Sequence, residues 1–335
     1  MDLDLLYKKT KNKNVKMSVT AIIVAILLPI LFLLIKQSYF VTLGSFILLY
    51  VVAVSGLDIV FGYSGQISMG HAAFFAIGAY STGILTAKLG IPLFISMICG
   101  SIAGALIGAL LAYPASKLVF HFLSLSTISF GEIVYQLITH SPNGITGNFN
   151  GLRLGKQTMF GLPMDSKINV YYLFLVFVII FLVAKHFLVN SKVGRAFVAI
   201  RENTHAAEGM GINVRKYKII AFTVSAFFTA FAGGMFLILM GYIHPDSFLQ
   251  PQSVLFLTML LFGGTASIIG PIVGTASVQL LVEALRDFQD YQMFLYGALM
   301  LIVIVLIPGG IYGTIRNAFV ERKQKKESGE LDAKG

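Results

Sequence analysis

Helices alone, carried eight to ten times through a bilayer, are what this chain calls for, and three observations say so. Its 335 residues are 56% hydrophobic and only 12% charged, against roughly 25% charged in soluble domains. An ordinary soluble enzyme is excluded, because the polar residues are too few to cover a water-facing surface. The apolar residues recur in uncharged runs of about 20, the length that crosses a hydrocarbon slab of about 30 Å as an α-helix. Basic residues cluster between runs rather than within them, as the positive-inside rule requires. That rule accounts for the net charge of +10 without any phosphate partner, so no nucleic acid is expected. The single cysteine, Cys99, permits no intrachain disulfide.

Residues 1–16 read as a basic cytoplasmic tail. The run at 17–35 follows it as a signal peptide would, but no small-x-small exit precedes Lys36, which makes it an uncleaved anchor. Further runs lie at 38–57, 66–87, 91–115, 118–140 and 168–184, then at 219–243, 252–268, 270–285 and 291–315. This all-α polytopic bundle occupies 17–315 as one transmembrane domain. Gly, Ser, Thr and Pro interrupt 59–70 and 252–285, so either hairpin can be re-entrant, which leaves eight or nine crossings open beside ten. Residues 316–335 form a second cytoplasmic tail; from Glu321 onward charges alternate without apolar anchors, the composition of a disordered segment.

Sidedness follows from the charges. Lys8, Lys9, Lys11, Lys13 and Lys16 precede the first run, seven basic residues fall in 185–218 and six follow from Arg316. These segments share the cytoplasmic face, and six and then four crossings separate them. The connection 141–167 is exterior and carries only Arg153, Lys156 and Lys167.

Gly100, Gly104, Gly108 and Ala112 recur every four residues on one helix face, and Ala226, Ala230 and Gly234 repeat the device. Small residues let helix backbones approach where lipid supplies no hydrophobic drive. Such a face serves plain packing or a moving interface, and says nothing of cargo.

The stretch GYSGQISMGHAAFFAIGAY at 62–80 sets Gly62, Gly65, Gly70 and Gly78 among Ser64, Gln66, Ser68 and His71 at membrane depth. Irregular backbone is tolerated there only where protein or a wet cavity satisfies it. It reads either as a broken helix lining a path, with helix N-terminal amides facing an anionic group, or as a tight turn between spans. A second interruption at 262–277, with Gly263, Gly264 and Gly270, faintly repeats it. Glu132 is the carboxylate that falls well inside a run, where a charge costs about 3 kcal/mol on insertion scales. It is expected to face protein, with Thr127, Ser129, Tyr135 and Gln136 as partners. Ser68, His71, Thr127 and Glu132 are the candidate pathway residues. His71 stands alone among metal-ligating types, so no metal site is expected, and no nucleophile, base and orienting group suggest catalysis.

In the segment 185–218, Asn203 or Thr204 caps a short helix that runs through Ala206 and Ala207 and stops at Gly211. Its small residues allow a partner to sit close; an amphipathic segment lying on anionic lipid is the alternative. The chain contains no G-x-x-x-x-G-K-[ST] phosphate loop, so any ATP is held by another polypeptide.

Four blocks in order resemble the permease subunits of ABC importers for branched-chain amino acids, the LivM-like branch. They are the stretch at 62–80; LSTISFGEIVYQLITHSPNGITGNFNGL, ending at Leu152; GRAFVAIRENTHAAEGMGINVRKYKIIAF at 194–222; and the GG…GPIVG block with IPGGIYG at 307–313. The resemblance implies a transport subunit, not an enzyme, in a bacterial inner membrane with both termini cytoplasmic. It implies a heterodimer with a homologous second permease, two cytoplasmic ATPases that hold ATP and Mg, and an extracytoplasmic amino-acid binding protein. Glu202, Ala206, Ala207 and Gly211 would belong to the coupling helix that docks on the ATPase. The chain departs from the family pattern at His205, where Glu is usual, and at Asn148 and Ala266, which replace glycines. The rival reading is a proton- or ion-coupled carrier working through Glu132.

Overall fold

A computed structural model describes residues 38–116 and 120–285, together with 297, 301 and 310. The runs at 17–35 and 291–315 and both tails therefore lie outside the described residues, apart from those isolated positions. Helix α1 (Ser38–Asp58) does not end at 57. It widens into a π-helical turn, Ile59–Tyr63, giving one 25-residue apolar helix, Tyr39–Tyr63. The chain is irregular over 64–70, and α2 (His71–Ala87) resumes the helix for 17 residues, about 25 Å at 1.5 Å per residue.

Next come α3 (Leu93–Ala115) and α4 (Phe120–Thr139). The connection after α4 holds two single turns, the strand β1 (Leu152–Arg153) and the hairpin β2 (Thr158–Met159) and β3 (Leu162–Pro163). Helix α5 (Lys167–Asn190) is followed by α6 (Lys192–Glu202), α7 (Thr204–Gly209) and the long α8 (Val214–Met240). Gly241, at φ 66°, ends α8 in the left-handed conformation that glycine adopts without a Cβ clash. Strand β4 (Tyr242–Ile243) pairs antiparallel with β1, Leu152 opposite Ile243. A turn at Pro245–Phe248 leads to α9 (Gln250–Gly263) and α10 (Gly270–Ala284).

Helix α8 is the axis of the described bundle, with α1, α2 and α3 packed around it. The two small-residue stripes meet each other there: Gly104 faces Ala230 and Ala226, and Gly108 faces Ala226 and the Phe222 carbonyl. Gly78 lies against the Ala230 carbonyl and Gly233 against that of Phe75, so α2 and α8 touch backbone to backbone. Dispersion gathered by this close approach replaces the hydrophobic force that lipid does not provide. Beside the seam, Phe75 contacts the rings of Tyr50, Phe236, Phe248 and Phe256, and Phe181 those of Phe228 and Phe231.

Several expected boundaries are corrected. Five described helices are long and apolar enough to cross a membrane, and the runs at 66–87, 252–268 and 270–285 are not among them. The first begins only at His71, while α9 and α10 have 14 and 15 residues and flank a break at 264–269. Glycine-rich sequence does not propagate a helix, although its mean hydropathy stays high. The segment 185–218 is mostly helix, because α5 runs on to Asn190 and α8 begins at Val214. Lys185 was expected to mark a loop; it lies inside α5 with its charge compensated. The connection between α4 and α5 and the 241–249 turn gather at one end of the bundle, where Lys88 Nζ donates to the Gly144 carbonyl at 3.1 Å. Residues 62–66 and α6 gather at the other, the basic end.

Candidate functional site

The break at 64–70 is held by polar side chains from three other helices. Met69 N–H donates to Thr127 Oγ1 of α4 at 3.0 Å, and Ala72 N–H, in the first turn of α2, donates to Ser253 Oγ of α9 at 2.9 Å. His71 bridges two hydroxyls, Ser68 Oγ at 2.9 Å from Nδ1 and Ser225 Oγ of α8 at 2.7 Å from Nε2. Gln66 Nε2 donates to Ser64 Oγ at 2.7 Å. Gly70 lies directly on the Thr127 carbonyl, so no side chain fits there. The local sequence dictates this: glycines prevent a helix, and each amide it would have satisfied needs another acceptor.

Ser68, His71 and Thr127 are thus brought together, all buried, in a network without formal charge. Glu132 is not with them. One helical turn and more along α4, it is exposed on this chain and accepts from Gln136 Nε2 at 2.9 Å. The expectation that it faces protein is corrected for this chain taken alone; Gln136 is the one anticipated partner it keeps. With Ser129, Ile133, Gln136, Leu137 and His140 it lines an open groove of about 620 Å³. The cause is the position of α4, which has the smallest buried share of the five long helices, 28%.

A second cluster escaped sequence reasoning. Asp58, fully buried, accepts from Lys185 Nζ at 2.7 Å, from Ala266 N–H at 2.7 Å and from Ser267 N–H at 3.3 Å. Lys185 Nζ also donates to the Ser267 carbonyl at 3.0 Å. Ending the first described span at 57 left Asp58 outside it, and its partner lies 127 residues away. The signal available was a carboxylate and an ammonium at the ends of two apolar runs, since a lone charge at such depth is costly. The glycines of the two interruptions meet at this cluster: Gly62 packs on the Asp58 carboxylate and the Ala266 amide, Gly263 on the Gly270 carbonyl, and Gly270 on the Gly264 carbonyl. Ala266 has φ 53° and Asn148 φ 50°, so both positions where the chain lacks an expected glycine keep a glycine-like backbone.

At the basic end, Ser191 Oγ caps α6 by accepting from Val193 and Gly194 amides. Asn203 Oδ1 caps α7 by accepting from Ala206 N–H at 3.0 Å. The expected short helix is α7, but Glu202 belongs to the helix before it. Ala206 is exposed, whereas Ala207 is fully buried against Ile200 and Val214. The expectation that Ala207 offers a close-fitting surface to a partner is corrected: it holds α7 onto its own chain. Gly211, at φ 82°, turns the chain toward α8. Arg201 reaches across to Gly62, its Nη1 donating to that carbonyl at 2.8 Å. Among the described residues, no three His, Cys, Asp or Glu side chains converge as metal ligands would.

A family model described as the permease component of branched-chain amino acid transport systems matches residues 38–304. The high-affinity branched-chain amino acid transport system permease LivM of Escherichia coli is 30% identical over 295 residues, 81% of this chain and 69% of LivM. LivH of Salmonella typhimurium, from a system of the same description, is 27% identical over 82% of this chain and 93% of its own length. The ribose import permease RbsC of Haemophilus influenzae is 30% identical over 38% of this chain and 42% of its own. No solved structure gives a significant match.

Proposed function

This chain belongs to the branched-chain amino acid transport permease family, and from that premise we propose that it imports leucine, isoleucine, valine or a related hydrophobic amino acid at the expense of ATP hydrolysed elsewhere. It is a multi-pass membrane protein and a transport subunit rather than an enzyme. In the proposed assembly it pairs with a homologous second permease and rests on two cytoplasmic ATPases that hold ATP and Mg. An extracytoplasmic binding protein delivers the substrate, and both termini lie in the cytoplasm of a bacterial cell. That LivM and LivH both match the chain supports a partner of the same fold.

The observation that carries the reading is the open face of α4. Ser129, Glu132 and Gln136 recur at three- and four-residue spacing on a helix of membrane-crossing length, and His140 follows directly after its last residue. Polar groups at that depth need cover from protein or a water-filled cavity. A second permease set against this face supplies the cover and makes the groove one wall of a path. Residues Ser68, His71 and Thr127 stand behind that wall and hold its shape through α4. At the basic end, the capped α6–α7 pair and the missing phosphate loop fit a chain driven by a motor outside itself.

The test is uptake of labelled leucine into proteoliposomes. The complete assembly is expected to accumulate leucine with ATP and no ion gradient, and not with a gradient alone. Gradient-driven accumulation by the lone chain overturns the proposal in favour of a carrier working through Glu132.

A further inference from the structure

We propose that Arg201 is a positioning residue that ties the coupling end of the molecule to the break between α9 and α10, acting through Gly62 and the buried Asp58–Lys185 pair. The proposal rests on the functional reading above for its purpose, though not for its geometry. Four elements converge within a few hydrogen bonds. Arg201 closes α6; Nη1 donates to the Gly62 carbonyl, Nη2 to Glu202 Oε1 at 2.6 Å, and the side-chain stem lies on Gly65. Gly62 sits in the π turn that ends α1, wedged between the Asp58 carboxylate and the Ala266 amide. Asp58 in turn grips Ala266 and Ser267, and Lys185 grips the Ser267 carbonyl from α5.

Stability alone does not account for this arrangement. A buried ion pair is often no better than well-packed apolar residues of the same volume, and both members here have fully buried side chains. The surrounding backbone carries strain as well: Ala266 is held at φ 53°, a conformation disfavoured for any residue with a Cβ. Wide π turns and strained residues gather where a fold switches or works. Each Asp58 bond selects one arrangement of the 264–269 turn, and the Arg201 bond selects one placement of the turn that carries Asp58. A push on α6 from a partner therefore reaches the 264–269 turn through directional polar contacts, which switch between discrete arrangements rather than deform continuously.

The full chain in lipid nanodiscs, followed by amide hydrogen exchange and mass spectrometry, tests the link without any transport assay. Arg201→Ala is expected to speed exchange over 262–270 about tenfold, although Arg201 bonds to none of these residues, as a shared opening unit requires. Arg201→Lys restores slow exchange, since an ammonium can still donate to Gly62, and Lys192→Ala, at the exposed start of α6, leaves it unchanged. Faster exchange confined to 62–66 and 199–203 overturns the proposal. In the reconstituted assembly, Arg201→Ala is expected to lower leucine imported per ATP hydrolysed while hydrolysis continues; an unchanged ratio also overturns it. A wild-type assembly that imports no leucine on ATP refutes the functional reading instead and leaves the exchange result standing.

Discussion

Removing one member of the Asp58–Lys185 pair strands the other in the bundle, and its cost follows from the partners left behind. In Lys185→Met the Asp58 carboxylate keeps two backbone donors, Ala266 N–H at 2.7 Å and Ser267 N–H at 3.3 Å. In Asp58→Asn the ammonium keeps only the Ser267 carbonyl at 3.0 Å among the bonds it now makes. Breaking a buried pair costs about 3–5 kcal/mol, so Lys185→Met belongs near the lower bound and Asp58→Asn near the upper. The double variant Asp58→Asn/Lys185→Met removes both charges, and the Asn oxygen still accepts from Ala266. The Asn NH2 replaces the oxygen that accepts from Ser267 N–H at 3.3 Å, so the double variant is expected within about 1–3 kcal/mol of the parent, well short of the sum of the two singles. Asp58→Ala in place of Asn leaves the Ala266 amide without an acceptor and adds about 1–3 kcal/mol. The assay is equilibrium unfolding of the purified chain in mixed micelles titrated with SDS, scored as a double-mutant cycle. A double variant that loses the sum of the two singles refutes the reasoning, because additive losses mean the two charges do not depend on each other.

Ala266→Gly relieves the left-handed backbone at φ 53° and is expected to stabilise the chain by about 1 kcal/mol in the same titration. Gly78→Val drives a branched side chain into the Ala230 carbonyl and is expected to cost about 3 kcal/mol and to abolish assembly, read by size-exclusion of the solubilised protein. Ala207→Asp places a carboxylate against Ile200 and Val214; limited proteolysis is expected to open 203–213 while the membrane core, which lies in a separate apolar cluster, stays protected, and ATP-driven uptake is lost. Glu132→Gln keeps an oxygen for Gln136 and is expected to retain ATP-driven leucine uptake within about twofold, whereas a carrier that titrates this group loses about a hundredfold.

Much of the molecule was legible because the signals are local. Hydropathy over about 20 residues marks a helix of crossing length whatever it packs on, and the runs at 38–57, 91–115, 118–140, 168–184 and 219–243 each overlap one long helix, although three of those helices extend past the run. A side chain three residues from an amide caps a helix with no tertiary help, so a cap at Asn203 or Thr204 was readable, and Asn203 is the residue that forms it. Interruptions within 59–70 and 252–285 were readable for the same reason, since glycine fails to propagate a helix in any surroundings, while the structure placed the breaks themselves at 64–70 and 264–269.

What a side chain faces is a different kind of fact. Glu132 sits in a run that demands a partner, yet α4 lies at the rim of the bundle and turns it outward. Ala207 has the size of a docking residue, but Ile200 and Val214 close over it. The stripes at 100–112 and 226–234 announce close packing without saying that they pack on each other. Asp58 and Lys185 are 127 residues apart, and no window of the sequence contains both. Residue types and spacing determined where helices form and where they fail, because those are short-range balances of backbone hydrogen bonding and burial. The tertiary structure alone decided which charges are paired and which faces are open, because pairing depends on distances between segments that only the folded bundle brings together.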